Sequence, residues 1–175
     1  MTTKYVKWGE AQVKLTWNRN TKQLPPREQI TSVHGYCFMD DKLLLINLRH
    51  RGWDFPGGHI EEEETPEECL KREAYEEAYI TGSCSLLGYI VVDHNENPNW
   101  DENSPYPLIG YQVFYRLDID QLHDFKAQYE SKERALINPE NIIRYHHGWD
   151  DLYQEILNYA LQINTNRDLL EVINS

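Results

Sequence analysis

Cysteine is scarce in this chain of 175 residues: Cys37, Cys69 and Cys84 make an odd number, and none belongs to a Cys-x-x-Cys pair. Neither a disulfide framework nor a zinc knuckle is expected, so the three read as reduced, mostly buried thiols. Long apolar runs are missing as well. No stretch approaches the roughly 20 residues that span a bilayer, and the opening MTTKYVKWGE lacks the apolar segment of a secretory signal. These absences predict a cytoplasmic protein with no membrane partner. Positive charge is in deficit: 17 Lys and Arg face 29 Asp and Glu, a net charge of −12. A surface of that sign repels a phosphate backbone, so no nucleic-acid polymer is expected as a partner. A small phosphorylated ligand stays open to it where metal cations screen the acidic groups. There is no internal repeat, and the one low-complexity tract is the acidic run 61–64.

What is present is globular: 40% hydrophobic and 26% charged residues, at a length that suits one domain. Residues 11–17 alternate weakly and read as a strand. The segment 18–26 (NRNTKQLPP) reads as loop, because Pro25 and Pro26 cannot join a central sheet. The apolar runs 31–39 and 42–48, separated by Asp40 and Asp41, read as a hairpin. After them RHRGWDFPGGHIEEEE is a loop leading into a helix. Thr65 is a good N-cap for that helix, Pro66 stands at its favoured first position, and Glu68 completes a Thr-x-x-Glu capping box. No Gly or Pro interrupts 67–80, and Gly82 is available to close the end. Two buried strands, 85–92 and 108–117, flank the long polar loop 94–106. A second loop, 126–140, leads through a short segment 142–145 to an amphipathic helix over 149–163. Leu152, Ile156, Tyr159 and Ala160 fall at helical spacing there. The tail after Thr165 is left as a short helix or a frayed end. Strands mixed with two helices predict an α/β class, one domain over 1–175. Its N-terminal strand and loop lie in 1–30, its C-terminal helix and tail in 149–175, and a sheet is covered on both faces.

The central helix carries unusual charge. At about 100° per residue, Glu73, Glu76 and Glu77 fall close to one direction, beside an apolar stripe of Leu70, Ala74 and Ala78 that would face a core. Glu73 and Glu77 form an i,i+4 like-charge pair, which costs helix stability unless something neutralises it. Hard divalent cations with oxygen ligands do so, and Mg²⁺ keeps room for water and substrate phosphates. On spacing alone, a solvated helix face stays as open as a metal site.

The surrounding residues weigh on that choice. From Gly58 the chain runs five residues to Glu64, seven more to Arg72, then Glu73-Ala74-Tyr75-Glu76-Glu77-Ala78-Tyr79-Ile80. This resembles the Nudix box, GX5EX7REUXEEXGU with U a bulky aliphatic residue. Gly58, Glu64, Arg72, Glu73, Glu76 and Glu77 match in register, and a chance match is on the order of one in ten thousand or rarer. Two positions depart: Ala74 is a small stand-in for the aliphatic residue, and Tyr79 replaces the glycine that ends the box helix. With Tyr there, the helix is expected to run on and close at Gly82.

The resemblance implies a Nudix-like α/β/α sandwich with a mixed central sheet. It also implies hydrolysis of a phosphoanhydride in a nucleoside diphosphate derivative, with Mg²⁺ or Mn²⁺; a nucleotide sugar, ADP-ribose and a diadenosine polyphosphate all stay open as substrates, and the short chain favours a nucleoside triphosphate, modified or not. Glu73, Glu76 and Glu77 would be the metal ligands, joined by the Gly58 carbonyl. Arg72 would orient the box through Glu64, its alternative reading being a surface cation. In the family the base is a box glutamate or an acid from a later loop, and here the later candidates are Glu133 first and Glu130 second. For the substrate itself, Arg51 in the basic knot Arg49-His50-Arg51 is a phosphate contact, and Trp100 and Tyr106 are stacking residues or a lid. Arg51 is equally readable as a strand end, and packing is the stronger reading for Trp100 and Tyr106. The pair His146-His147 reads as structural. The partner is a small nucleotide, and the oligomeric state stays open, a homodimer included. A second function, from another class, is a Nudix-fold nucleotide-binding or regulatory protein without turnover; Tyr79 is the feature that favours it.

Overall fold

The chain's β-branched and aromatic residues are spread along nine strands that hydrogen-bond into one sheet, seen here in a computed structural model. It describes residues 2–174, with side chains through residue 163. The strands are β1 (Thr3–Trp8), β2 (Ala11–Arg19), β3 (Ile30–Met39), β4 (Lys42–Leu48), β5 (Gly52–Asp54), β6 (Gly57–His59), β7 (Ile80–Asp93), β8 (Ile109–Leu122) and β9 (Ser131–Ile137). Their order is β1-β2-β7-β8-β3-β4-β5, with β6 paired to β3 and β9 to β4. Only β3 and β8 run parallel, so the sheet is mixed. Helix α1 (Pro66–Glu73), extended by a π-helical turn over Ala74–Ala78, lies on one face, and α2 (Asp151–Asn174) lies on the other.

Period-two alternation divides the core between these faces. On β4, Leu44, Ile46 and Leu48 pack with Cys69, Leu70, Ala74 and Ala78 of the first helix. Leu43 and Leu45 pack with Leu152, Ile156 and Ala160 of α2. The apolar stripe of α1 faces the core, as its spacing implied. Gly35 on β3 sets how closely α1 approaches: a Cβ there would lie 2.7 Å from Leu70 Cδ1. Under α2, the buried Arg116 donates to the Ala160 carbonyl at 2.9 Å, pairs with Asp118 at 2.9 Å and stacks on Phe38. Cys37 and Cys69 are buried, Cys84 is partly so, and all three are free. No helix among the described residues is long and apolar enough to cross a membrane.

The fold departs from the sequence expectations where pairing is long-range. β1 was not anticipated, because its lysines and exposed flanks give no apolar run; it is an edge strand on β2. The expected glycine-rich loop contains β5 and β6, and the expected loop 126–140 contains β9. Each of these short pieces is a strand only because a neighbour's ladder receives it. β7 and β8 run 14 residues each, since their polar outer halves pair with one another. Residues 142–144 of the expected segment 142–145 belong to a 3-10 turn, Pro139–Arg144, which Tyr145 caps. The backbone of α2 continues through the expected tail to Asn174. The box helix does not run to Gly82. It ends at Ala78, and Tyr79 itself takes the left-handed conformation (φ 56°, ψ 44°) that a glycine would adopt. Gly82 lies inside β7, where a Cβ would meet the Asp118 carbonyl oxygen at 2.2 Å.

Candidate active site

The site is built where β6 hands the chain to α1. Thr65 caps the helix, its hydroxyl accepting the Glu68 N–H at 3.1 Å, and Pro66 opens the first turn. This fixes the helix axis so that its carboxylates press back on the glycine pair. The Gly57 N–H donates to Glu77 Oε1 at 2.9 Å. A Cβ on Gly58 would fall 2.6 Å from Glu73 Oε1, so the close approach requires the missing side chain. Beyond Glu73 the helix widens into the π turn that carries Glu76 and Glu77, a bulge of the kind that recurs at functional sites.

Arg72 ties the acidic groups together. Its guanidinium forks onto Glu64, Nε to Oε2 at 2.7 Å and Nη2 to Oε1 at 3.1 Å. Nη1 donates to Glu73 Oε1 at 2.9 Å and lies 3.6 Å from Glu76 Oε2, and Nη2 reaches the His59 carbonyl at 3.3 Å. The hydrogen bond from Arg72 holds the Glu64 carboxyl down at about 2, helped by the Glu61 N–H. Glu73 and Glu77 are displaced the other way. Burial raises both, with Arg72 opposing the shift at Glu73 and the Gly57 N–H opposing it at Glu77. The Glu73 and Glu130 charges push Glu77 up further. Glu77 is only 3% exposed, so its partners are the Gly57 amide and its acidic neighbours rather than water. Among the described residues, no three Asp, Glu, His or Cys side chains already converge as a metal cage.

Two adjoining cavities open around β6 and the strands beside it. One, of about 550 Å³, is lined by Gly58, Glu73, His50, Arg51 and Glu130. The second, of about 420 Å³, is mostly apolar and is walled by Trp8, Val92, His94, Tyr106 and Pro107. The cavities share Ser32, His59 and Gln112, so they adjoin.

The structure brings Gly58, Glu64, Arg72, Glu73, Glu76 and Glu77 together and sets Arg51 across the cavity, where it also faces Asp54 at 3.5 Å. Trp100 and Tyr106 part company. Tyr106 lines the apolar cavity, whereas Trp100 lines neither and spends its indole N–H on the Tyr106 carbonyl at 3.0 Å. Glu133 does not face the box helix. Its carboxylate accepts from Asn47 at 2.8 Å, on the face of β9 that also carries Ala135 toward the α2 core. The next residue, Arg134, points the other way and caps the box helix at the Ala78 carbonyl, 2.7 Å away. Glu130, just before β9, lies on the cavity wall with Glu73. His146 pairs with Asp54 at 3.2 Å and packs on Phe55, consistent with a structural role. Trp8, Ser32, His59 and Gln112 carried no local signal, since strand pairing alone assembles them.

Residues 29–151 match the model of the NUDIX domain. The chain belongs to the NUDIX family. Its fold is similar to that of a Bacillus subtilis pyrophosphohydrolase, with a TM-score of 0.68, 22% identity, and coverage of 93% of this chain and 97% of that one. It is also similar to a NUDIX domain from Shewanella oneidensis crystallised with ADP-ribose, with a TM-score of 0.56, 17% identity, and coverage of 76% and 88%. At these identities the likeness is one of fold. A curated relative, an 8-oxo-dGTP diphosphatase of Proteus vulgaris, is 48% identical over 42 residues, 23% of this NUDIX chain. This chain spans about 38% of the length of that relative.

Proposed function

We propose that this NUDIX protein is a pyrophosphohydrolase that cleaves a phosphoanhydride in a small nucleoside diphosphate derivative, with Mg²⁺ or Mn²⁺ as cofactor. The observation that carries the reading is the buried Glu77 and half-buried Glu73 pressed on Gly57 and Gly58, with Glu73 lining a cavity that Arg51 and His50 also line. Neighbouring carboxyls whose charged forms are disfavoured by burial are an arrangement that a divalent ion relieves. Carboxylate and carbonyl oxygens are the donors such an ion takes. Glu73, Glu76, Glu77 and the Gly58 carbonyl would hold it. When bound, it supplies the positive charge that lets water attack an anionic diphosphate. Arg72 keeps the Glu73 carboxylate aimed and is itself fixed by Glu64. Arg51 pairs with a phosphate oxygen. Glu130, rather than Glu133, takes the proton of the attacking water, because Glu130 lies on the cavity wall while Glu133 is held by Asn47.

The adjoining apolar cavity takes the nucleoside, with Tyr106 and Trp8 as flat walls and Trp100 supporting the loop of Tyr106. A modified nucleoside triphosphate is the favoured substrate, in line with the name of the Proteus vulgaris relative. A cytoplasmic location is part of this reading, and the three free cysteines support it. Tyr79, the one feature that favoured a protein without turnover, keeps the backbone a glycine would take, and that supports catalysis.

The test is purified protein with Mg²⁺ on a panel of nucleoside triphosphates, nucleotide sugars, ADP-ribose and diadenosine polyphosphates, following phosphate or pyrophosphate release. Turnover of at least one compound is expected, abolished by EDTA and lowered about a hundredfold or more by Glu77→Gln. Activity indifferent to both treatments refutes the mechanism. Tight binding with no turnover of any compound favours the regulatory reading.

A further inference from the structure

Tyr79 fills the box position that is glycine in the family pattern, and its side chain is embedded rather than displaced into solvent. The ring is 5% exposed and stands 5.1 Å from Phe125, 6.2 Å from Tyr75 and 6.5 Å from Tyr129, centre to centre. Its hydroxyl accepts the backbone N–H of Gln128 at 3.0 Å. Its own carbonyl accepts the His123 N–H at 2.8 Å, and Arg134 links the Tyr79 and His123 carbonyls at 3.3 and 2.7 Å. The segment 123–129 is therefore wrapped around one tyrosine. That segment needs holding, because Ala127 sits at φ 51°, a left-handed conformation that an alanine adopts reluctantly. Two residues past Gln128 comes Glu130, whose carbonyl accepts the Arg49 N–H at 3.0 Å. Glu130 is thus pinned on one side by Arg49 and on the other, through Gln128, by Tyr79.

We infer that Tyr79 is a positioning residue: its hydroxyl and ring hold the 123–130 loop so that the Glu130 carboxylate stays on the cavity wall beside Glu73. This rests on the proposed role of Glu130. A glycine at 79 would make the same backbone turn, but it would leave the Gln128 N–H without its acceptor and a space of a phenol ring under the loop. The tyrosine joins the end of the metal-binding helix to the loop of the base, which sequence spacing keeps about fifty residues apart.

The test compares the wild type with Tyr79→Phe, Tyr79→Gly and Glu130→Gln, singly and combined, on whichever phosphoanhydride the panel identifies. Tyr79→Phe keeps the ring and deletes the acceptor. It is expected to lower kcat about tenfold while KM stays within about twofold, since neither cavity wall loses a contact. Tyr79→Gly, although it restores the family residue, is expected to lower kcat further. In the Glu130→Gln background, Tyr79→Phe should cost almost nothing, because the group it positions is already gone. Independently of turnover, the Gln128 amide should lose hydrogen-exchange protection in Tyr79→Phe while the amides of α1 keep theirs. An active wild type matched by Tyr79→Phe overturns the inference alone, as do additive losses with Glu130→Gln or an unchanged Gln128 amide. A wild type inert toward the whole panel overturns the proposed function first and this inference with it.

Discussion

Replacing Arg72 with alanine in metal-free buffer isolates what the guanidinium contributes. The fork to Glu64, at 2.7 and 3.1 Å, joins a side chain 24% exposed to one 12% exposed, and a third bond of 2.9 Å goes to Glu73. Moving the Glu64 carboxyl from 4.5 to about 2 corresponds to about 3 kcal/mol of folded-state stability at full strength. The pair remains within reach of solvent, and screening brings that to about 1–2 kcal/mol. Losing the bond to Glu73 adds about 1 kcal/mol, part of which Glu73 recovers by taking up a proton. A net loss of about 2 kcal/mol at pH 7 is expected, or about 4–8 °C in Tm for a chain of this size. The sign of the pH dependence follows from the direction of the shift. A carboxyl held low in the folded state stabilises above its unfolded value near 4.5, and that stabilisation is lost as pH falls toward about 2. The gap between wild type and Arg72→Ala should therefore be full at pH 7 and should narrow progressively below pH 4.5. Urea unfolding at pH 7, 4.5 and 3, in EDTA, measures it, and Arg72→Lys should fail to restore it because a lysine cannot fork. A gap that is constant from pH 7 to pH 3, or absent at pH 7, would refute the account of Arg72 as the organising cation.

Two further predictions concern the cavity wall. Gly58→Ala places a Cβ 2.6 Å from Glu73 Oε1 and 2.9 Å from its Cδ, so the carboxylate must swing away. Turnover is expected to fall about ten- to a hundredfold with the fold retained, checked by kcat beside a thermal melt, and a fully active variant would sink the claim of close approach. His34 is half-buried, its Nε2 2.9 Å from the Ser32 hydroxyl and its ring stacked on Phe114, and desolvation lowers its pKa to about 4. Its NMR titration should show a midpoint near that value. Its contribution to stability should be constant above about pH 6.5 and decline as pH drops toward 4, because the unfolded histidine takes its proton first. A midpoint near 6.5 contradicts the burial.

The parts of this protein written in neighbouring residues could be read directly. Thr65, Pro66 and Glu68 start the helix by satisfying its own first amides, and the 3.6-residue period puts Leu70, Ala74 and Ala78 on the sheet and the glutamates beside them. Asp40 and Asp41 mark the hairpin because a short polar side chain tolerates the φ of 54° found at Asp40. Tyr79 shows the limit of such rules. A tyrosine is not expected in a left-handed cap from its near neighbours alone, and here His123, Phe125, Gln128 and Arg134, all distant in sequence, hold it.

The order of residues along the chain therefore decided the hairpin, the capped helix and the spacing of its acids, since each depends on atoms within a turn or two. Which later glutamate lies on the cavity wall with Glu73, and which aromatic rings line the adjoining apolar cavity, was decided by folding. A shift of one residue in the pairing of β9 with β4 would exchange the faces of Glu133 and Arg134. The parallel seam between β3 and β8 is likewise what places Gln112 beside Ser32. Such registers are set by the whole buried sheet, whose apolar faces must both be covered at once, and no short segment contains that information.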